Sequence, residues 1–427
     1  MSDLLDTLLT DLQTTRFPDL DLPAEFVLPA YQGQSLLNIP SSICELFGLQ
    51  HIHSLPLRPE ILTPLKGNTQ RVILILMDAL SLLRFSDWIQ AGTLPLWSQL
   101  LQSGHLFPIT SISPSTTSTA MTTLWTGRST IEHGVGGYEL WLKEFGLVAN
   151  MVLHTPMSYH SNSPSLEMAG FDPESMLAMP TMGEHLGQHG VSTHAFQHYS
   201  IAYSGLSRSF MKNVDIHPFG TEAECWVNVR ELIEKEKKSK MYVWTYWGSY
   251  DSLSHRYSPD DERSLLYFQN FSRTLEENLI NRMSPSQRQG TLLVLTADHG
   301  QVVTRKDPHY ELANHPEFMK CLHIRPTGES RMTYLHVKPG KEDFLQNYID
   351  QTWPDQFIVR KSQDLVKQGL FGPGIPLDTI QDRLGDLTVM AKGNHYFWWA
   401  DQPNPLLGRH GGLSPEEMLV PFLAVHL

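Results

Sequence analysis

The sequence predicts an α/β fold built around a mostly parallel sheet, with a small α+β insertion. Two short apolar runs carry that expectation: Arg71-Val72-Ile73-Leu74-Ile75-Leu76-Met77 and Thr291-Leu292-Leu293-Val294-Leu295-Thr296-Ala297. Each is unbroken and each ends in a carboxylate, Asp78 or Asp298. Short continuous runs of this kind belong to strands buried on both faces, as in a parallel sheet covered by helices. Helix-like stretches lie between them. A chain of 427 residues suffices for one large α/β domain with an insertion, or for two or three smaller domains.

Composition narrows the function classes. A net charge of -13 disfavours nucleic acid as a stable partner, since phosphate backbones are held by basic surfaces. No segment approaches the roughly 18 continuous apolar residues of a membrane span, so no membrane association is expected. The start, Met1-Ser2-Asp3-Leu4-Leu5-Asp6, lacks the basic region and apolar run of a secretory signal. The cysteines, Cys44, Cys225 and Cys321, are distant and odd in number, which fits a reducing compartment, and a cytoplasmic location is expected. The 20 histidines make a metal enzyme worth testing.

Residues 1–69 read as an extension packing on the core: helical spacing over Asp3 to Leu12, Pro-rich turns, then a capped helix from Asn38 to Phe47. The run at 71–78 follows, and in open α/β sheets ligands bind beyond the C-terminal ends of the strands, where Asp78 would lie. Asp78 could equally cap a helix over Ala79 to Gln90. Next comes a hydroxyl loop, Ser113-Pro114-Ser115-Thr116-Thr117-Ser118-Thr119, entering a helix that Gly127 stops. A hydroxyl there faces unpaired N–H groups and the positive end of the helix dipole, the preferred place for a phosphate; Ser and Thr are also the ordinary capping residues. The turn Glu132-His133-Gly134-Val135-Gly136-Gly137-Tyr138 lets backbone approach closely.

Strand-like runs recur at 148–153 and 191–196, with a helix over Thr181 to His189 between them. His185, His189, His194 and His198 read as surface or packing residues. Met241 to Trp247 is another strand, followed by Asp251 and His255, four apart. On a helix that spacing puts both on one face, close enough to share an ion. A long amphipathic helix, roughly Pro259 to Met283, precedes the second buried run, which ends in Asp298-His299-Gly300. Residues 321–395 change character, with strands at 332–338, 357–361 and 387–392 and a helix near 341–353. They are expected to form an α+β cap over the active face. Gly408-Arg409-His410-Gly411-Gly412 then returns a histidine in a glycine turn, before a last strand over 419–425.

The order strand-Asp, Thr loop and helix, Asp-x-x-x-His, strand-Asp-His-Gly, His-Gly-Gly resembles the alkaline phosphatase superfamily, and most its type I phosphodiesterase/nucleotide pyrophosphatase branch. The resemblance covers about residues 70–320 and 396–427 and implies a three-layer α/β/α sandwich as catalytic core. It implies that Asp78, Asp298, His299 and Thr117 hold one zinc ion, with Thr117 also the nucleophile, and that Asp251, His255 and His410 hold a second. Thr117 is preferred to Thr116 by the family spacing to Thr126-Gly127. The Ser118 N–H would meet a phosphate oxygen, and Tyr138 would offer an aromatic face to the substrate. One departure stands out: nucleotide pyrophosphatases of this branch place an asparagine after the His-Gly turn, whereas this chain has Gly136-Gly137-Tyr138.

The chemistry suits these residue types. A Thr hydroxyl is too weak an acid to attack phosphorus at neutral pH unless a cation lowers its pKa. Mixed Asp/His donors suit zinc, and a missing fourth protein ligand leaves a place for substrate or water. The expected activity is therefore hydrolysis of a phosphodiester or phosphoanhydride in a small phosphate-ester substrate, a nucleotide among the candidates, through a phospho-threonine. Two alternatives remain open: a phosphomonoesterase using the same two zincs, and a non-catalytic binding module on the same fold. A sulfatase is disfavoured because no cysteine begins a C/S-x-P-x-R signature, and a cofactor-independent phosphoglycerate mutase would be expected to use Ser and manganese.

Overall fold

The computed structural model describes residues 2–158, 165–237 and 239–427. Sixteen strands are found among them, in chain order β1 (Arg71–Met77), β2 (His105–Thr110), β3 (Glu139–Leu142), β4 (Leu147–Asn150), β5 (Thr155–Pro156), β6 (Val191–His198), β7 (Asp215–Phe219) and β8 (Lys240–Trp247). They continue with β9 (Thr291–Thr296), β10 (Val302–Val303), β11 (Thr327–Glu329), β12 (Met332–Leu335), β13 (Phe357–Lys361), β14 (Leu387–Ala391), β15 (Gly408–Arg409) and β16 (Leu419–His426).

The central sheet has the order β2-β16-β9-β1-β8-β6-β7. β9, β1, β8, β6 and β7 are successive parallel neighbours, and β16 alone runs antiparallel to both its partners, β2 and β9. Every residue of β1 is buried, the condition its sequence demanded. Helices cover both faces, and the period of two in β8 shows how. Tyr242 and Trp244 meet Trp125 of the helix Thr117–Thr126 on one face. Trp247 meets Trp226 and Phe271, from the helices Glu222–Lys235 and Glu262–Asn278, on the other. The parallel-sheet sandwich is therefore as expected.

Both edge strands escaped the sequence reading, and for one reason. β2 contains Pro108 and β7 contains Pro218; proline breaks the apolar run and is tolerated chiefly at sheet edges. The exposed edge of β2 is covered by the N-terminal extension. The Thr110 N–H donates to the Gln34 carbonyl at 2.9 Å, the Ala30 N–H to Thr110 Oγ1 at 2.9 Å, and Gln34 Nε2 to the Pro108 carbonyl at 3.0 Å. Covering an edge in this way blocks pairing with a foreign strand.

The segment expected as a self-contained cap is different. β11 to β14 form one sheet with β3, β4 and β5, in the order β13-β14-β12-β11-β3-β4-β5, with every neighbouring pair antiparallel. The sheet thus draws on two separate stretches of chain, and the boundary drawn at 321–395 divides it. The run near 148–153, read as a strand of the core, is β4 of this second sheet and ends at Asn150. Local pattern cannot distinguish the two because the partners that decide it are remote in sequence. Cys44, Cys225 and Cys321 are free and buried. Among the described residues no helix is long and apolar enough to cross a membrane.

Candidate active site

β1 and β9 are paired with Leu76 opposite Thr296, so Asp78 and Asp298, each two residues further on, emerge level at the C-terminal edge of the sheet. The chain turns sharply after Asp78 because Ala79 takes a left-handed conformation, φ 66°. A non-glycine residue there costs roughly 1 kcal/mol or more. The turn is held by Asp298 Oδ1, which accepts the N–H of Ala79 at 3.1 Å and that of His299 at 3.0 Å. At Gly300 a side chain would run into the Glu416 carbonyl, so the residue after His299 must be glycine.

Both carboxylates are buried, and each keeps one oxygen without a hydrogen-bond partner: Asp78 Oδ1 and Asp298 Oδ2. Those two oxygens lie 3.5 and 3.4 Å from His299 Nε2, and Thr117 Oγ1 lies 3.2 Å from the same nitrogen. Three oxygen donors and an imidazole nitrogen thus converge on one point. Burial, then the neighbouring Asp298 and Asp251 charges, push the Asp78 carboxyl well above its ordinary range; burial likewise raises Asp298. Two unpartnered buried carboxylate oxygens facing each other are costly unless a cation or protons compensate them.

The helix Ser249–Tyr257 carries Asp251 and His255 on one face, one turn apart. Asp251 Oδ1 lies 3.3 Å from His255 Nε2 and 4.0 Å from His410 Nε2. The His410 ring stacks on that of His299 with centroids 3.8 Å apart, so the second cluster adjoins the first. Two groups have donor atoms mutually within 4.8 Å: Asp78, Asp298 and His299, and Asp251, His299 and His410. His299 therefore borders both, whereas the sequence reading assigned it to the first alone, and His255 joins the second through Asp251. His185, His189, His194 and His198 belong to neither.

The three histidines share one orientation. Nδ1 of His299 faces the Gly300 carbonyl at 3.1 Å, that of His255 the Gly408 carbonyl at 2.8 Å, and that of His410 the Ser115 carbonyl at 3.1 Å. A carbonyl only accepts, so each Nδ1 carries the proton and each Nε2 presents a lone pair to the site, the arrangement that orients metal-ligating histidines. Burial, followed by the charges of His299 and His255, pushes His410 well below its usual pKa and keeps it neutral. The donor set thus fits a cation of the kind that takes Asp and His ligands.

Thr117 opens the helix Thr117–Thr126. The first intrahelical bond, from Ala120 N–H to the Thr116 carbonyl at 2.9 Å, leaves the N–H groups of Thr117, Ser118 and Thr119 ahead of it. Ser118 Oγ is turned away, donating to the Gly137 carbonyl at 2.9 Å. The Thr116 hydroxyl faces Glu329. Tyr138 is 38% exposed, and Asn150 Nδ2 donates to its Oη at 2.6 Å. An amide side chain thus reaches the turn from β4, although none stands in the turn itself.

Three contributors went unnoticed in the sequence. Tyr246 Oη donates to Asp78 Oδ2, Gln301 Nε2 donates to Asp251 Oδ1, and Glu329 enters from the second sheet. Gln301 could have been found from its place directly after Asp298-His299-Gly300. Tyr246 could have been found as a polar tip near the end of a buried strand. Nothing in the sequence singles out Glu329.

The model of the family described as type I phosphodiesterase/nucleotide pyrophosphatase matches residues 72–413. The chain belongs to that family. Membership places it among hydrolases of phosphate ester and anhydride bonds, in the alkaline phosphatase superfamily. Among solved structures it is similar to murine ectonucleotide pyrophosphatase/phosphodiesterase 5, at 18% identity and a TM-score of 0.62, covering 83% of this chain and 88% of that one. An inactive threonine-to-alanine form of the same murine protein, solved in complex with AMP, aligns at 17% identity and a TM-score of 0.61, covering 83% and 88%. Phosphonoacetate hydrolase from Sinorhizobium meliloti 1021, in complex with phosphonoformate, aligns at 16% identity and a TM-score of 0.59, covering 84% and 90%. At such identities the likeness speaks for the shared fold. No curated protein matches the chain.

Proposed function

We propose that this family member hydrolyses phosphodiester or phosphoanhydride bonds of a small substrate, with two zinc ions bound and a phospho-threonine formed at Thr117. The observation that carries the reading is the convergence of Asp78 Oδ1, Asp298 Oδ2 and Thr117 Oγ1 on His299 Nε2. Asp78, Asp298, His299 and Thr117 would hold one ion, and Asp251, His255 and His410 the other. Bound there, the ions supply a lowered pKa for the Thr117 hydroxyl and compensating charge for phosphoryl oxygens.

Thr117 Oγ, having given its proton to water, attacks phosphorus; the Oγ–P bond forms as the bond to the leaving oxygen breaks, and that oxygen departs with the electron pair and takes a proton from water. A water oxygen then attacks the same phosphorus, the Oγ–P bond breaks, and Thr117 regains its proton from that water. The N–H groups at the helix start receive a non-bridging oxygen throughout, and the Tyr138 ring offers a face to the esterified group. An inactive threonine-to-alanine form of the murine relative, in complex with AMP, supports the threonine role.

A diester or anhydride is favoured over a monoester because the extra negative charge of a monoester needs further cationic contacts. The arginines that could supply one are engaged elsewhere. Arg128 Nη1 donates to Glu132 Oε1 at 3.0 Å, Arg331 is paired with Glu417, Arg383 Nη1 donates to the Gly134 carbonyl at 2.8 Å, and Arg409 binds Asn404 and Thr304. A bis-aryl phosphate should therefore be turned over faster than a mono-aryl phosphate, with kcat/KM higher by about tenfold, or ~1.4 kcal/mol of barrier. A clear monoester advantage would replace this reading with a phosphomonoesterase.

Elemental analysis should find about two zinc ions per chain. Asp298→Ala and His410→Ala should each lower that content together with activity. A protein without bound metal, inactive after reconstitution with zinc, would favour a non-catalytic binding module.

A further inference from the structure

We propose that Glu329, delivered by the second sheet, is a positioning residue that holds the nucleophile loop and the Gly136–Tyr138 turn at a fixed separation. Its catalytic consequence rests on the hydrolase reading above; its structural consequence rests on hydrogen bonds alone. Glu329 ends β11 and is 8% exposed. Its Oε1 accepts the Tyr138 N–H at 2.8 Å, and its carboxyl group faces the Thr116 hydroxyl. One side chain thus lies between the residue before Thr117 and Tyr138 of the glycine turn.

The surroundings leave that carboxyl group little freedom. A methyl group on Gly411, next to His410, would lie 2.5 Å from Glu329 Cβ, and one on Gly137 would lie 2.9 Å from the Gly328 Cα. The loops bearing Thr117, Tyr138 and His410 therefore all close on this point. The turn is fastened twice more, by Ser118 Oγ donating to the Gly137 carbonyl at 2.9 Å and by Tyr334 Oη donating to the Gly136 carbonyl at 2.7 Å. Among the described residues no lysine, arginine or histidine forms an ion pair with Glu329. A salt bridge is therefore not what retains a carboxyl group in this place, and an uncompensated buried acid is costly. Burial accordingly pushes its pKa up to about 8. Glutamine keeps an acceptor for the Tyr138 N–H and a polar group facing Thr116, and alanine keeps neither.

The experiment compares the wild type with Glu329→Gln and Glu329→Ala, reading kcat and KM on a bis-aryl phosphate, zinc content, and amide hydrogen exchange at Tyr138 and over 113–119. Glu329→Ala should lose on the order of 10²-fold in kcat, the loss that a misplacement of about 1 Å can cause. KM should stay within about threefold, zinc content should be unchanged, and the Tyr138 amide should exchange faster. Glu329→Gln should recover most of kcat and protect that amide. Thr116→Val, which removes the facing hydroxyl and leaves the carboxyl group in place, should show a smaller loss of the same kind and serves if the alanine variant does not fold. Wild-type kcat and exchange in Glu329→Ala, equal impairment of the glutamine and alanine variants, or a loss that tracks zinc would each overturn the positioning role. If the wild type hydrolyses no phosphate ester, the functional reading fails. The exchange measurement still decides this proposal, which falls if the Tyr138 amide is unchanged.

Discussion

Thr117→Ala should lower kcat by about 10³-fold or more while leaving metal content close to that of the wild type. The size follows from what is removed: the substitution deletes the attacking atom, and deletion of a nucleophile leaves only the residual effect of binding and electrostatics. Metal retention follows from geometry, since Asp78, Asp298 and His299 still offer donor atoms mutually within 4.8 Å. Thr117→Ser keeps the oxygen and should retain part of the activity. Folding should be little affected, because the position is the first of a helix and loses no intrahelical bond. Thr116→Ala is the informative companion, since the Thr116 hydroxyl faces Glu329 while Thr117 Oγ1 faces His299 Nε2 at 3.2 Å. An inactive Thr116→Ala beside a fully active Thr117→Ala would move the nucleophile by one residue and end this assignment.

Arg331→Met should destabilise the protein by about 3–5 kcal/mol, the cost of leaving one partner of a buried ion pair uncompensated. Arg331 and Glu417 are both fully buried, with Nε and Nη2 donating to the carboxylate at 2.7 and 2.9 Å. Glu417 is also the anchor of the His410 loop. Its carboxylate accepts the N–H of Gly412 at 2.8 Å and the Ser414 hydroxyl at 2.7 Å, and its carbonyl accepts the Gly300 N–H at 2.8 Å. The guanidinium holds that carboxylate, so its loss should loosen His410 as well as the fold. Arg325 makes an equally short pair with Asp401, but the two side chains are 54% and 79% exposed. Solvent screening leaves such a pair little net effect, so Arg325→Met should leave stability close to that of the wild type. Chemical denaturation of the two variants side by side checks both expectations; equal destabilisation would mean that burial of the Arg331 pair is not what matters.

What was legible in the sequence is what local pattern encodes. Asp78 and Asp298 could be read because a buried strand with a carboxylate at its end is a signal complete within ten residues, and parallel pairing then sets the two level. Asp251 and His255 could be read because helical spacing alone puts them together. The strands expected at 332–338, 357–361 and 387–392 are present as β12, β13 and β14, but the sheet they form could not be read in this way. Gly328 pairs with Glu139, about 190 residues away, and β3, β5 and β11, of two to four residues, are too short for a period of two to stand out. Glu329 shows the same limit at the level of one side chain: it belongs to a three-residue strand, and its role is set by Thr116 and Tyr138, which only the tertiary fold brings near.

The placing of β16 has a consequence for the order in which the molecule is made. β2 and β9 are separated by that strand alone, so residues 419–426 must be present before the two can belong to one sheet, and β2 leads directly into the nucleophile loop. The turn after His410 likewise waits for Glu417, and Thr116 and Tyr138 wait for Glu329. A nascent chain emerging from the ribosome can form β1, β8 and β9 early, yet it has no working centre until its last strand slides between two others. Such non-local closure is entropically slow. A polypeptide cut short between Gly411 and Leu419 would carry all the proposed ligands without the strand that joins β2 to β9.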